Sequence, residues 1–109
     1  MREDGEWQLV RHIVMWNFAD GNTDTQNREN GLKIKSLLEA AAAKIEGVIS
    51  FSVHLNEMGS SNRDILLFSE FESAEALERY QVSEGHKAAG VFVRAVTKDR
   101  ACIDYEAEQ

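Results

Sequence analysis

The sequence predicts an α+β domain: a four-stranded antiparallel sheet with its helices on one face. Two observations carry this. The run Gln8-Leu9-Val10-Arg11-His12-Ile13-Val14-Met15-Trp16-Asn17-Phe18 alternates as a strand but is apolar on both sides. One side carries Leu9, Ile13 and Met15, and the other Val10, Val14, Trp16 and Phe18, with His12 among them. The apolar periodicities also fall in the order β-α-β-β-α-(α)-β, in which helices separate strand pairs.

Each element has its own signal. The first strand runs from about Trp7 to Phe18 and ends at the turn Ala19-Asp20-Gly21-Asn22. Thr23-Asp24-Thr25-Gln26 has the spacing of a capping box, with Thr23 as N-cap. Leu32, Ile34, Leu37, Leu38, Ala41, Ala42 and Ile45 then recur at helical spacing, so a helix is predicted over 24–46, closed by Gly47. Gly31 inside it costs about 1 kcal/mol relative to Ala. Residues 48–55 alternate as a second strand, with Ile49, Phe51, Val53 and Leu55 on its apolar face. The opposite face carries Val48, Ser50, Ser52 and His54. A loop over 56–62 leads to a third strand at 65–71, apolar on both sides. Ser73 caps a short helix through Ala76, Leu77 and Tyr80; Ser83-Glu84-Gly85 interrupts it; His86, Ala89, Phe92, Val93 and Val96 mark another. The last strand is predicted over 100–105.

The 109 residues fit one domain, placed at 7–106 between a flexible tail over 1–6 and a frayed end over 107–109. The order of elements is that of a ferredoxin-like sheet. Helices on one face leave the other bare, and an exposed apolar face marks an interface. A homodimer is therefore expected, two sheets curling into a shared barrel. The side bearing Val10, His12, Val14, Trp16 and Val48 is assigned to the inside of that barrel, with Leu9, Ile13 and Met15 under the helices.

A formal net charge of −7 argues against nucleic acid and against an anionic membrane surface, both of which need clustered Lys and Arg. No apolar stretch reaches the length of a membrane span, and the charged residues 1–6 show no signal-peptide pattern. With a single cysteine, Cys102, no internal disulfide forms and a cytoplasmic location is expected.

Four segments taken together resemble one family. They are Arg11-His12-Ile13-Val14-Met15-Trp16-Asn17-Phe18, the joint Ile45-Glu46-Gly47-Val48, the stretch Phe71 to Tyr80, and Phe92-Val93-Arg94 followed by Asp104-Tyr105-Glu106. In this order and spacing the chain resembles the stress-responsive A/B barrel (Dabb) family over about 8–106. The resemblance implies a dimeric α+β barrel of ferredoxin-like subunits. It also implies kinship with plant polyketide cyclases, which use neither metal nor organic cofactor and bind a polyketide in the subunit's cavity. On that resemblance the cyclase Tyr falls on Tyr80, its His on His86, the strand-one His on His12 and the last-strand Asp on Asp104. Ser83 and Glu84 stand where the family often has a His-Pro pair, and Ile65 where the cyclases have a His.

Tyr80 and His86 are six positions apart, about 240° around one continuous helix, so they meet only if the chain turns between them. Ser83 and Gly85 supply turn and cap residues. Once together, His86 suits proton removal and Tyr80 hydrogen bonding to a carbonyl. The bland alternative makes Tyr80 a core residue and His86 a helix-start residue. His12, Val14, Trp16 and Asp104 are the expected ligand contacts, with His12–Asp104 or Arg94–Asp104 also open as a structural pair. The histidines and Cys102 show no metal-ligand spacing, Cys102 reads as a buried structural thiol, and no phosphate loop or nucleophile elbow occurs. Three functions stay open: a homodimer holding a small, mostly apolar ligand; a cofactor-independent cyclase or lyase acting on a carbonyl compound; and a purely structural, stress-associated oligomer.

Overall fold

The structure, a computed structural model, describes residues 8–108. The expected tail over 1–6, together with Trp7 and Gln109, lies outside them. The elements are β1 (Gln8–Phe18), α1 (Asp24–Ala42), β2 (Val48–Leu55), β3 (Ile65–Phe71), α2 (Ala74–Gln81), α3 (Glu84–Val96) and β4 (Thr97–Glu108). They form one antiparallel sheet in the order β2-β3-β1-β4, the predicted ferredoxin-like arrangement. No helix of the described residues is long and apolar enough to cross a membrane.

β1 is central, paired with β3 on one edge and β4 on the other. Its Val14 and Trp16 pack with Ile65 and Leu67 of β3 against Ile34 and Leu38 of α1 and Ala89 and Val93 of α3. Val10 joins a second cluster with Phe71, Ala76, Leu77 and Tyr80. The helices therefore cover the Val10, His12, Val14, Trp16 side, which reverses the predicted assignment of the two faces. Apolarity alone cannot choose a side when both are apolar. The β3 ladder is apolar on both sides too, with Val14 and Trp16 facing Leu67 and Ile65 and Ile13 and Met15 facing Phe68 and Leu66, so the side is fixed by the helices packing on the first set. The open face carries Ile13, Met15, Leu66, Phe68 and Ile103, the last 58% exposed. A polar link crosses it, with Arg11 Nε donating to Glu70 (3.0 Å) and Ser50 Oγ donating to the same carboxylate (2.8 Å).

A second correction concerns β2. Its register shifts between Val48 and Ser50, so Val48 and Phe51 both pack on the core while Ile49 is left 49% exposed. A bulge breaks the period of two on which the alternation argument rests. β2 is also an edge strand, and α1 guards it. Glu39 Oε2 accepts from Val53 N (3.1 Å), and Lys35 Nζ donates to both Val53 O (2.9 Å) and Glu39 (2.7 Å). The free backbone groups of Val53 are thereby occupied and closed to strand addition.

The capping box at Thr23 forms as predicted, Thr23 Oγ1 accepting from Gln26 N and Gln26 Oε1 from Thr23 N. α1 ends at Ala42 rather than 46, because Lys44 and Ile45 bond back only three residues and tighten the last turn. Gly31 is explained by closeness: a Cβ there would lie 2.7 Å from Leu55 Cδ2, so α1 rests directly on β2. β4 is longer than its apolar centre, because it pairs along the length of β1 from Phe18 to Gln8.

Gly47 leads into β2 with φ +95°, and a Cβ there would lie 2.7 Å from Ala76 Cβ. Its carbonyl accepts from Glu72 N at 2.8 Å. Gly47→Ala is expected to lower unfolding stability by about 1–3 kcal/mol, read by urea denaturation. An unchanged midpoint would show that this turn tolerates a side chain.

Candidate functional site

The site is built on the break between α2 and α3. Ser83 Oγ donates to the carbonyl of Tyr80 (2.7 Å) and accepts from the backbone N of His86 (3.2 Å). One hydroxyl thus closes α2 and caps α3. With the helix broken here, Tyr80 and His86 no longer point 240° apart. Their rings meet at 4.6 Å between centroids, edge to face. Ser83 performs the turn at a position where the resembled family often has His-Pro.

Tyr80 is fully buried, its ring against Phe51 (5.3 Å) and Phe71 (5.7 Å). Its hydroxyl has no hydrogen-bond partner among the described residues. Burial pushes the Tyr80 hydroxyl well above its ordinary range, so it stays protonated, a donor in need of an acceptor. His86 is half-buried, and its pKa is lowered. Desolvation is the chief cause; a bond to the Gln81 backbone works upward, while the nearby His12, Arg100 and Arg94 add to the lowering. A neutral imidazole therefore faces a protonated phenol.

His12 stands on β1 opposite Asp104 of β4 and Ser69 of β3. It is 3% exposed, and its Nδ1 lies 2.5 Å from Asp104 Oδ1, so of the two pairs left open for Asp104 the one with His12 is present. Ser69 Oγ holds the strand from the other side, donating to His12 O at 2.7 Å. The His12 ring meets the edge of Phe71 at 6.5 Å, and Phe71 touches Tyr80. His12, Phe71, Tyr80 and His86 so form one row on the helix side of the sheet.

Cys102 is exposed, not the buried thiol the sequence predicts. It lies on the helix side of β4, opposite Val14, but the helical layer does not reach over this edge strand. Its pKa is raised by partial burial and by Asp104, against the pull of Arg100, so it is no activated nucleophile. Asp104 and Cys102 are exposed beside buried His12, at the end of the row. Val14 and Trp16, the expected apolar walls, lie deep in the core under α1 and α3. The stripe of Ser50, Ser52 and His54 lies on the open sheet face, with His54 Nε2 at 2.9 Å from Ser52 Oγ. A pocket of about 520 Å³ lies at the other end of the sheet, among Met15, Leu55, Met58, Arg63, Ile65 and Leu66, and none of the six expected site residues lines it.

Two features escaped the sequence reading. The pair of hydrogen bonds made by the Ser83 hydroxyl was signalled only by its place as a turn and cap residue. Phe71, which joins His12 to Tyr80, read as an ordinary core residue.

The lowered pKa of His86 carries a sign. Above about pH 6.5, its ordinary value, the side chain is neutral in both folded and unfolded chain. Below it the unfolded chain binds the proton more readily, so stability falls as pH falls. His86→Gln is expected to flatten this part of the stability–pH curve, and the His86 ring to titrate below 6.5 by NMR. An unchanged slope, or titration at or above that value, would contradict the arrangement.

The chain matches the family model of the stress responsive A/B barrel domain over residues 10–107. Among solved structures it is similar to a dimeric protein of ferredoxin-like fold from Bacteroides fragilis, at 30% identity and TM-score 0.83 over 91% of this chain and 96% of that one. A dimeric ferredoxin-like protein from Thermobifida fusca matches at 18% identity and TM-score 0.77, covering 93% of this chain and 92% of that one. A Dabb protein from Mesorhizobium loti matches at 22% and 0.67, covering 90% and 95%. No curated protein matches the chain. With the sheet order, the break at Ser83 and a family match spanning nearly all the described residues, the chain belongs to the stress-responsive A/B barrel (Dabb) family.

Proposed function

We propose that this chain forms a homodimer through its open sheet face and binds a small, mostly apolar ligand on the helix side. The ligand presents a hydrogen-bond acceptor to Tyr80. The carrying observation is the Tyr80 hydroxyl, fully buried and without a partner among the described residues. A buried hydroxyl left unpaired costs about 1–3 kcal/mol. Phe71 and Phe51 supply the apolar contacts, and His86 and the His12–Asp104 pair the remaining polar ones. Phe51 also packs against the core cluster that holds Val14 and Trp16. The dimer reading is supported by the exposed apolar face and by relatives described as dimeric. The pocket at the far end includes Met15 and Leu66 of that same face, so a second sheet laid there closes over it.

A second reading has its own observation. His86 is held neutral with its ring against Tyr80. That pair suits removal of a proton next to a carbonyl by His86 while Tyr80 donates to the carbonyl oxygen, as in an aldol-type cyclisation without cofactor.

The test is a melting-temperature screen of medium-chain fatty acids, aldehydes and aryl ketones on the protein and on Tyr80→Phe. The variant is expected to melt at or above the parent, because it loses a hydroxyl that has no partner. Compounds that raise the melting temperature of the parent should lose that effect in the variant. If no compound stabilises the parent, or the variant responds equally, Tyr80 is not the contact. Turnover of a responding carbonyl compound, abolished by His86→Ala, would favour the second reading.

A further inference from the structure

The geometry points to a transition-metal site made by His12 Nδ1, Cys102 Sγ and an Asp104 carboxylate oxygen, suited to Zn²⁺ or Co²⁺. His12 lies 90 residues from Cys102 and 92 from Asp104, and the β1–β4 register brings it beside these two neighbours on β4. His12 stands opposite Asp104 and Val14 opposite Cys102, so all three project on the helix side of two paired strands. The ligand atoms lie within 4.8 Å of one another. Cys102 Sγ is 3.8 Å from His12 Nδ1 and 3.8 Å from Asp104 Oδ1, and Nδ1 is 2.5 Å from Oδ1.

Tetrahedral zinc, with bonds of about 2.0 Å to N and O and about 2.3 Å to S, holds its nitrogen and sulfur donors about 3.5 Å apart and its nitrogen and oxygen donors about 3.3 Å apart. The two sulfur distances already fit within a few tenths of an ångström. The remaining edge opens when the ion replaces the hydrogen bond between His12 and Asp104. That movement falls on the Asp104 side chain, which is 42% exposed, while buried His12 stays fixed. Charge also balances, because a thiolate and a carboxylate together neutralise a divalent ion. Binding releases the thiol proton to solvent, and the proton that His12 Nδ1 donates to Asp104 shifts to Nε2, freeing Nδ1 as the ligand. Arg100, near Cys102, repels a bound cation. A nitrogen, sulfur and oxygen set suits zinc or cobalt rather than magnesium or calcium, which take oxygen ligands. Three protein ligands on a solvent-facing edge leave a fourth position for water.

The test is a titration of the tag-free full chain with Co²⁺, in a non-thiol reductant, followed by absorbance. A thiolate-to-cobalt charge-transfer band should saturate at one ion per chain and disappear on adding Zn²⁺. Asp104→Asn, a change at an exposed side chain that leaves the fold intact by circular dichroism, should weaken binding about tenfold or more. Cys102→Ser should abolish the band. Absence of a band in the parent would overturn the proposal. So would a band of equal affinity in Asp104→Asn, because the thiol would then hold the ion without its neighbours.

Discussion

The architecture depends on β1, a strand bonded on both edges and apolar on both sides. Its two ladders decide which residues can meet. The β3 ladder sets Val14 and Trp16 against Leu67 and Ile65, beneath α1 and α3. The β4 ladder sets His12 against Asp104 and Val14 against Cys102. A helical layer large enough to cover β1 and β3 does not extend across β4. The same shortage of helix that leaves the far face bare also leaves the helix-side edge open at Asp104 and Cys102. Fold, open face and candidate site are therefore consequences of one strand in the middle of a small sheet.

The candidate site adds a local break to that frame. Ser83 spends one hydroxyl on two backbone groups, the carbonyl that ends α2 and the amide that starts α3. The turn brings a buried phenol against a half-buried imidazole. Burial works against both polar groups there. A Phe in place of Tyr80 would fill the same space without a donor to satisfy, and desolvation works against a charged His86. Polar groups kept in such places at an energetic cost cluster at functional sites more often than elsewhere in a core.

Most of the fold was legible because its signals are local. The capping box at Thr23, the cap at Ser73 and the apolar run of 65–71 are short-range patterns, and each formed where its residues lie. The errors arose where the outcome depends on distant pairing. Nothing in the alternation of β1 says which apolar side the helices take, because β3 sets apolar partners against both sides and the helix packing decides it. Nothing in residues 48–50 announces the bulge that turns Ile49 outward. Cys102 was misjudged for the same reason: its place opposite Val14 is correct for a core residue, but the helices stop short of it. In the site, Tyr80, His86 and the His12–Asp104 pair were legible, whereas the grouping of His12, Cys102 and Asp104 as three donors required the ladder.

The central claim is that β1 is covered on both sides, by helices on one and by a second copy on the other. Methyl NMR with a soluble gadolinium relaxation agent tests it directly, because the agent broadens only the methyls it can approach. At concentrations where the dimer dominates, the methyls of Ile13, Met15 and Ile103 should be as protected as that of Val53 in the core, while Met58, 68% exposed, is broadened. Broadening of Met15 and Ile103 to the level of Met58 at every concentration would contradict it.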